Sequence, residues 1–314
     1  MTYREIVKNR VSSTELLVGA GYAPGHITCI FEIHKSSKNP LECGSRGVGF
    51  CINKGVNSIA QITKSKKQSI EVYLNNKKLA GETTKLAIKE LIGNESLKIK
   101  IFSFSELPIS SGFGLSGAGA LSSVFAVDSA LRLKNKRSDL VNAAHIAEVI
   151  AGTGLGDVVA QATGGFVLRE FAGGIGIGQV KKLNLLIKNK TFLFGVLNEG
   201  LETGRIINNP VYIRRINRAA SVHLENIQNM LTLENIFKQS YFFSKESKLI
   251  KKNVRDLIEI IHAKRLGLAT MVMLGNTIVS IGNTNKIEKL LTSKCKTIKC
   301  KFTNLKAKKV QSLG

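Results

Sequence analysis

The stretch Pro108-Ile109-Ser110-Ser111-Gly112-Phe113-Gly114-Leu115-Ser116-Gly117-Ala118-Gly119-Ala120-Leu121 constrains the fold most. It follows a segment of strand formers and opens one with helical periodicity. Glycines at 112, 114, 117 and 119 permit a sharp turn and close approach of the backbone to another molecule, where the helix that follows presents its first unpaired N–H groups. That combination suits a phosphate. Gly112-x-Gly114-x-x-Gly117 also matches the dinucleotide fingerprint. That motif needs a second strand after the helix, yet Lys134-Asn135-Lys136-Arg137 leads straight into another helix. A Walker A loop would end in Gly-Lys-Ser/Thr, which this stretch lacks. A tight helix start without a ligand is the alternative, and four glycines with a serine argue against it.

The 314 residues, 43% of them hydrophobic, suffice for one large or two modest domains. No run of about 18 apolar residues is present, and Met1 to Arg10 is polar, so neither a membrane-spanning helix nor a signal peptide is expected. A soluble, cytoplasmic protein with no membrane partner follows as the expectation. Five cysteines, at 29, 43, 51, 295 and 300, include no C-x-x-C pair, which points to reduced thiols rather than disulfides or zinc. The lysines around Cys295 and Cys300 suggest an exposed tail. The formal charge of +24 raises nucleic acid as a partner. Its lysines are scattered, no recognition motif accompanies them and aromatics are 6%, so a solvated basic surface with no specific nucleic acid is the better reading.

Leu17 to Ile33 reads as strand broken by Gly19-Ala20-Gly21-Tyr22-Ala23-Pro24-Gly25, whose Pro-Gly pair marks a turn, with His26 and Thr28 on one face. Gly44 to Phe50 reads as a second glycine-rich turn before a short strand. Its Arg46 is open to two roles, a solvated loop charge or an anion ligand. Strands are expected at 69–74, 97–104, 166–169 and 191–198, with helices at 83–92, after Gly114, and from Ser138. Glu148 lies off the apolar stripe of that last helix, where a solvated glutamate is the usual occupant. Asp157, after three glycines, can cap a helix or meet a substrate hydroxyl. Further helices are expected around 217–231, 234–243 and 253–262, then a hairpin from Ala269 to Ile281 turning at Gly275-Asn276. Strands and helices alternate without strict βαβ repeats, which favours α+β.

Taken together, Ala23-Pro24-Gly25-His26-Ile27-Thr28, Pro108 to Ala118 and Gly154 to Gly165 resemble the first motif, the phosphate loop and the segment holding the acidic base in the GHMP family of small-molecule kinases. Gly44-Ser45-Arg46-Gly47, Ala144-His145 with Glu148, Gly154 to Val159 and Met273-Leu274-Gly275-Asn276 resemble its archaeal pantoate kinase branch. The resemblance implies an N-terminal half like ribosomal protein S5 domain 2, residues 1–185, and a ferredoxin-like half, residues 186–314. It implies ATP and Mg²⁺ as cofactors, phosphorylation of pantoate for coenzyme A synthesis, and a homodimer; mevalonate and homoserine are alternative substrates, and an S5-like RNA-binding protein is the alternative of another class. Pro108, Gly112, Phe113, Gly114, Leu115, Ser116, Gly117, Ala118, Gly119 and Ala120 would then hold the ATP phosphates. Ser116 and Glu148 would hold Mg²⁺, and Asp157 would orient and deprotonate the hydroxyl. His26, Thr28, Arg46 and Arg169 would bind the substrate, the arginines at its carboxylate. Many members of the wider family carry lysine where this chain has His26, and their glycine-rich third motif is here reduced to Leu274-Gly275-Asn276.

Overall fold

The computed structural model describes residues 16–185, 187, 190–198 and 203–310. The polar segment 1–10 and residue 186, at the expected boundary between halves, lie outside the described residues. The first sheet runs β12-β1-β2-β5-β3-β4, with β6 and β7 branching from β2. Its members are β1 (Leu17–His34), β2 (Gly44–Lys64), β3 (Ser69–Leu74), β4 (Lys77–Leu79), β5 (Leu97–Phe104), β6 (Phe166–Phe171), β7 (Gln179–Leu183) and β12 (Lys308–Val310). Four helices accompany it: α1 (Glu82–Ile92), α2 (Leu115–Leu131), α3 (Arg137–Ala151) and α4 (Asp157–Thr163).

Two expected turns are not turns. β1 and β2 are long antiparallel partners, and the Pro24-Gly25 step is a register shift within the pair, the mark of a bulge rather than a chain reversal. Gly44 to Phe50 likewise lies within β2. The glycines of β1 serve packing instead. A Cβ at Gly19 would lie 2.3 Å from the Ala130 nitrogen, and one at Gly21 would lie 2.2 Å from the Ser122 oxygen, so α2 rests directly on the strand. Helix α2 is accordingly apolar nearly all round and buried along most of its length.

The second sheet runs β11-β8-β10-β9, formed by β8 (Thr191–Asn198), β9 (Gly267–Val272), β10 (Asn276–Gly282) and β11 (Lys296–Lys301). The helices of this half are α5 (Thr203–Ile207), α6 (Pro210–Asn229), α7 (Leu233–Glu246), α8 (Lys252–Ala263) and α9 (Thr284–Thr292). Helix α6 begins where Asn209 accepts from the Val211 and Tyr212 amides, with Pro210 at its first position, and it buries Ile216, Ala219, Ala220, His223, Leu224 and Ile227 along one stripe. The segment expected as an exposed tail is strand β11, with Cys300 buried, because its alternation sets Ile298 and Cys300 inward and the lysines outward. The described cysteines are all free thiols.

One hydrophobic core joins the two sheets. Phe50 of β2 stacks on Phe166 at 5.2 Å and on Phe192 of β8 at 4.6 Å, and Phe192 continues to Phe237 at 6.3 Å. The chain then returns to the first sheet. β12 pairs with β1, Lys309 forms an ion pair with the buried Asp128, and Arg137 donates to the carbonyls of Ala307 and Ala162, each at 2.7 Å. Among the described residues, no helix is long and apolar enough to cross a membrane.

Candidate active site

A cleft of about 850 Å³ runs along the start of α2, between an apolar arm at Val56, Val72, Leu74 and Leu79 and a polar end at Thr28, Ser45, Asp157 and Arg169. The loop 108–114 forms its middle. Gly112 (φ 85°) and Gly114 (φ 64°) adopt left-handed backbone, and Gly114 takes the N-cap position of α2. The loop is pinned by Phe113, whose ring is buried at 5.2 Å from Phe194, a burial that stabilises by roughly 1.5–3 kcal/mol. It is pinned also by the turn between β9 and β10, for a Cβ at Gly275 would lie 2.2 Å from the Ser111 oxygen and one at Gly112 would lie 2.6 Å from Val272. The shortened third motif thus packs against the loop at the start of α2.

Pro108, Gly112, Phe113, Gly114, Leu115, Ser116 and Gly119 line the cleft. Ala118 and Ala120 face the core, and the Ala118 amide bonds to the Gly114 carbonyl. The amides of Gly114 to Gly117 are therefore the unpaired first-turn donors. Gly117 faces Glu148, whose Oε1 would be 2.8 Å from a Cβ placed there. Most of these glycines thus make room for the protein's own groups, and Gly119 alone of the four looks onto open space, with only Thr84 at 3.8 Å.

Three hydroxyls that sequence reading missed or did not connect meet beside the loop. Ser116 donates to Thr83 at 3.1 Å, and Thr83 is 3.0 Å from Thr153. Thr83 and Thr84 open α1 after Gly81, a helix-start pattern that was visible but carried no sign of its target. The apolar arm gave no sequence signal at all, since alternating Val and Leu read simply as strand.

Glu148 is wholly buried, and neither carboxylate oxygen has a hydrogen-bond partner. The expectation of a solvated glutamate is thereby corrected: α3 turns this residue inward beneath Gly117 and Gly154, where a Cβ at 154 would lie 2.4 Å from Oε1. Burial, reinforced by the charge of Asp157, pushes its pKa well above 4.5; the Val158 amide, outside hydrogen-bond geometry, and Arg169 oppose this. Such an orphaned carboxylate, packed under Gly117, the residue after Ser116, is of the hard-oxygen type that fits a divalent cation such as Mg²⁺, which also binds phosphate oxygens and water. Among the described residues no group of three or more His, Cys, Asp or Glu side chains could hold a metal, so any ion here would depend on such outside ligands.

Asp157 is the first residue of α4, and Gly156 holds the N-cap position without a side-chain bond, so the aspartate does not cap its helix. It reaches His26 instead, Oδ1 lying 2.7 Å from Nδ1, and accepts a longer bond of 3.4 Å from Thr28. About a quarter of its side chain is exposed, toward the cleft. Burial raises its pKa, but the His26 bond and charge, then Arg169 and Thr28, outweigh burial and hold it below the ordinary value. Burial lowers that of His26 despite Asp157. A neutral imidazole donating Nδ1–H to a carboxylate reconciles the two directions.

Arg169 is buried in a slot made by Gly47 and Gly156, where Cβ atoms would fall 2.9 and 2.7 Å from its guanidinium. Its Nε donates to the Ser45 carbonyl at 3.2 Å, and its Nη1 has no partner. Burial lowers its pKa and the charges of Asp157 and Glu148 resist, leaving a guanidinium that stays cationic. Arg46 is not brought to this place. Next along β2 from Ser45, it turns to the opposite face, pairs with Glu32 at 3.1 Å and donates to the Glu170 carbonyl. His26 does not line the cleft either, being fully buried behind Asp157.

Residues 78–165 match the GHMP kinases N terminal domain. A pantoate kinase from Methanocaldococcus jannaschii is 34% identical over 274 residues, spanning 86% of this chain and 95% of that protein. A solved structure described as a phosphotransferase related to CoA biosynthesis pathway superposes with a TM-score of 0.84 at 22% identity, over 95% of this chain and 100% of the other. Another, described as MDDEF in complex with MVAPP, AMPPCP and magnesium, gives 0.72 at 13% identity over 95% and 100%. With sequence likeness along nearly its whole length and the same two-sheet α+β architecture, the chain belongs to the pantoate kinase family of GHMP kinases.

Proposed function

We propose that this protein transfers the γ-phosphoryl group of ATP to the primary hydroxyl of (R)-pantoate, giving (R)-4-phosphopantoate for coenzyme A biosynthesis in the cytoplasm. The observation that carries the reading is the pairing, at one end of the cleft, of Asp157 with a buried guanidinium whose Nη1 is unsatisfied. A short acid bearing a hydroxyl satisfies both. Arg169 takes the carboxylate, for which its fixed fork is suited, and Asp157 receives the hydroxyl hydrogen and aims the oxygen. The first-turn amides of α2 bind phosphate oxygens, and the apolar arm accepts the base of the nucleotide. Ser116 and Glu148 would hold Mg²⁺, which neutralises charge on the phosphates when bound. Positioning and charge neutralisation dominate because phosphoryl transfer has a loose transition state.

The division into residues 1–185 and 186–314 is part of this proposal, with the cleft at their junction and β12 crossing back. A homodimer is proposed from the family resemblance, to be checked by sedimentation against the 34.1 kDa chain mass. The deciding experiment is an ADP-release assay with pantoate, mevalonate and homoserine in parallel. Turnover with pantoate alone, and a product heavier by one phosphoryl group, is expected. Turnover only with another alcohol would overturn the substrate assignment.

A further inference from the structure

We propose that His26 is a positioning residue that holds Asp157 through its Nδ1–H, so that one carboxylate oxygen is fixed and the other is presented to the substrate hydroxyl. The inference rests on the pantoate kinase reading and deepens it. Where many members of the family carry lysine, this chain holds a buried ring that does not line the cleft.

The geometry is built from three sides. The backbone N–H of His26 donates to the Phe113 carbonyl at 3.0 Å, tying the residue to the loop at the start of α2. Its ring occupies a space that exists because residue 49 of β2 is glycine, where a Cβ would lie 2.5 Å from Nε2. From there Nδ1 meets Asp157 Oδ1 at 2.7 Å, while Thr28 lies 3.4 Å from that same oxygen and 3.5 Å from Nδ1. The ring is fully buried and Nε2 has no partner. An unpartnered acceptor is tolerable in such a place, whereas an imidazolium would leave a buried N–H donor without an acceptor, so the Nδ1–H tautomer is the one the pocket selects.

Asp157 needs such a partner. It opens a helix of only seven residues and makes no capping bond that would fix its side chain. Arg169, the cation of the same cleft, draws the carboxylate toward itself, and an Asp157–Arg169 pair would occupy both groups that the substrate requires. With Oδ1 held by His26 and Thr28, Oδ2 remains toward Gly114, where a Cβ would stand 3.3 Å away. His26 thus keeps the acidic and basic groups at this end of the cleft apart.

Three substitutions in the full chain separate positioning from mere packing. In His26→Asn, Nδ2 lies where Nδ1 was and retains the donor. His26→Gln moves the donor one atom outward, and His26→Leu removes it at similar volume. With pantoate and ATP, Leu and Gln are expected to lower kcat about 100-fold, with each KM changed less than about threefold, while Asn stays within about fivefold of the parent. Equal impairment of Asn and Leu, or a Leu variant with parental kcat, overturns the proposal. Nitrogen-15 spectra of the histidines in the unmodified protein add a measurement that requires no variant to fold: Nδ1 protonated and Nε2 unprotonated is expected for His26, and the opposite tautomer or an imidazolium at neutral pH refutes it. An unmodified protein inactive on pantoate refutes the functional reading, and the nitrogen spectra still decide the His26–Asp157 bond.

Discussion

Replacing Glu148 by glutamine should make the ligand-free protein more stable while removing its activity. The carboxyl is buried without a hydrogen-bond partner, and its pKa lies well above 4.5 in the folded chain. The unfolded chain ionises above 4.5 and the folded chain does so only at higher pH. Glu148 therefore disfavours the fold increasingly as pH rises from 4.5 toward the folded-state value. Each unit is worth about 1.4 kcal/mol, so over the roughly 2.5 units to pH 7 the penalty has a ceiling of about 3.5 kcal/mol. Glutamine avoids ionisation but brings an amide that is itself unpaired, a loss of about 1–2 kcal/mol. The net gain is therefore at most about 2 kcal/mol, or roughly 4 °C in Tm for a chain of this size. Thermal melts without nucleotide should show this rise at pH 7.5 and its disappearance near pH 4.5. With Mg²⁺ and ATP the order should reverse, because the parent alone gains from the ion, and kcat of the variant should fall at least about 100-fold. A Tm at pH 7.5 equal to or below the parent, or a gain that persists unchanged at pH 4.5, would refute the reasoning.

Asp157→Asn should lower kcat by about 10²–10⁴-fold while calorimetry shows MgATP affinity within about threefold of the parent, since in the proposed arrangement the residue faces the hydroxyl rather than the triphosphate. Arg169→Met should raise KM for pantoate by about 100-fold through loss of a buried charge partner, with KM for ATP little changed; equal damage to both would contradict the assigned ends of the cleft. Arg137→Ala removes two charge-assisted bonds of 2.7 Å and a ring contact with Phe125 at 5.3 Å. With the side chain partly solvated, a loss of about 2–3 kcal/mol is expected, read as a lower urea midpoint without loss of specific activity under native conditions.

Much of this was legible because the relevant signals are local. The glycines before α2, the alternation of β3, β5 and β8, and the turn between β9 and β10 each express their conformation within a few residues. What failed was long-range. Gly19 and Gly21 look like turn glycines until α2 is seen lying on them, and Pro24-Gly25 looks like a reversal until β2 is seen running past it. Arg46 and Arg169 are equivalent as letters. Strand alternation together with Glu32 turned one away, and the glycines at 47 and 156 opened a slot for the other. Glu148 read as a surface residue because its burial depends on Gly117, in another helix, as well as on Gly154 just past its own, and His26 read as a substrate contact because nothing local reveals that Asp157 stands in front of it.

The phenylalanine column through residues 166, 50, 192 and 237 has a consequence for how ligands are captured. It rivets the core between the two sheets, a link that resists swinging of one half against the other. Engulfing two substrates must then fall to short rim segments, such as the β3–β4 hairpin beside Leu79, whose displacement leaves those rings seated. The picture that follows for this chain is of a fixed anvil under small lips, rather than of jaws that close.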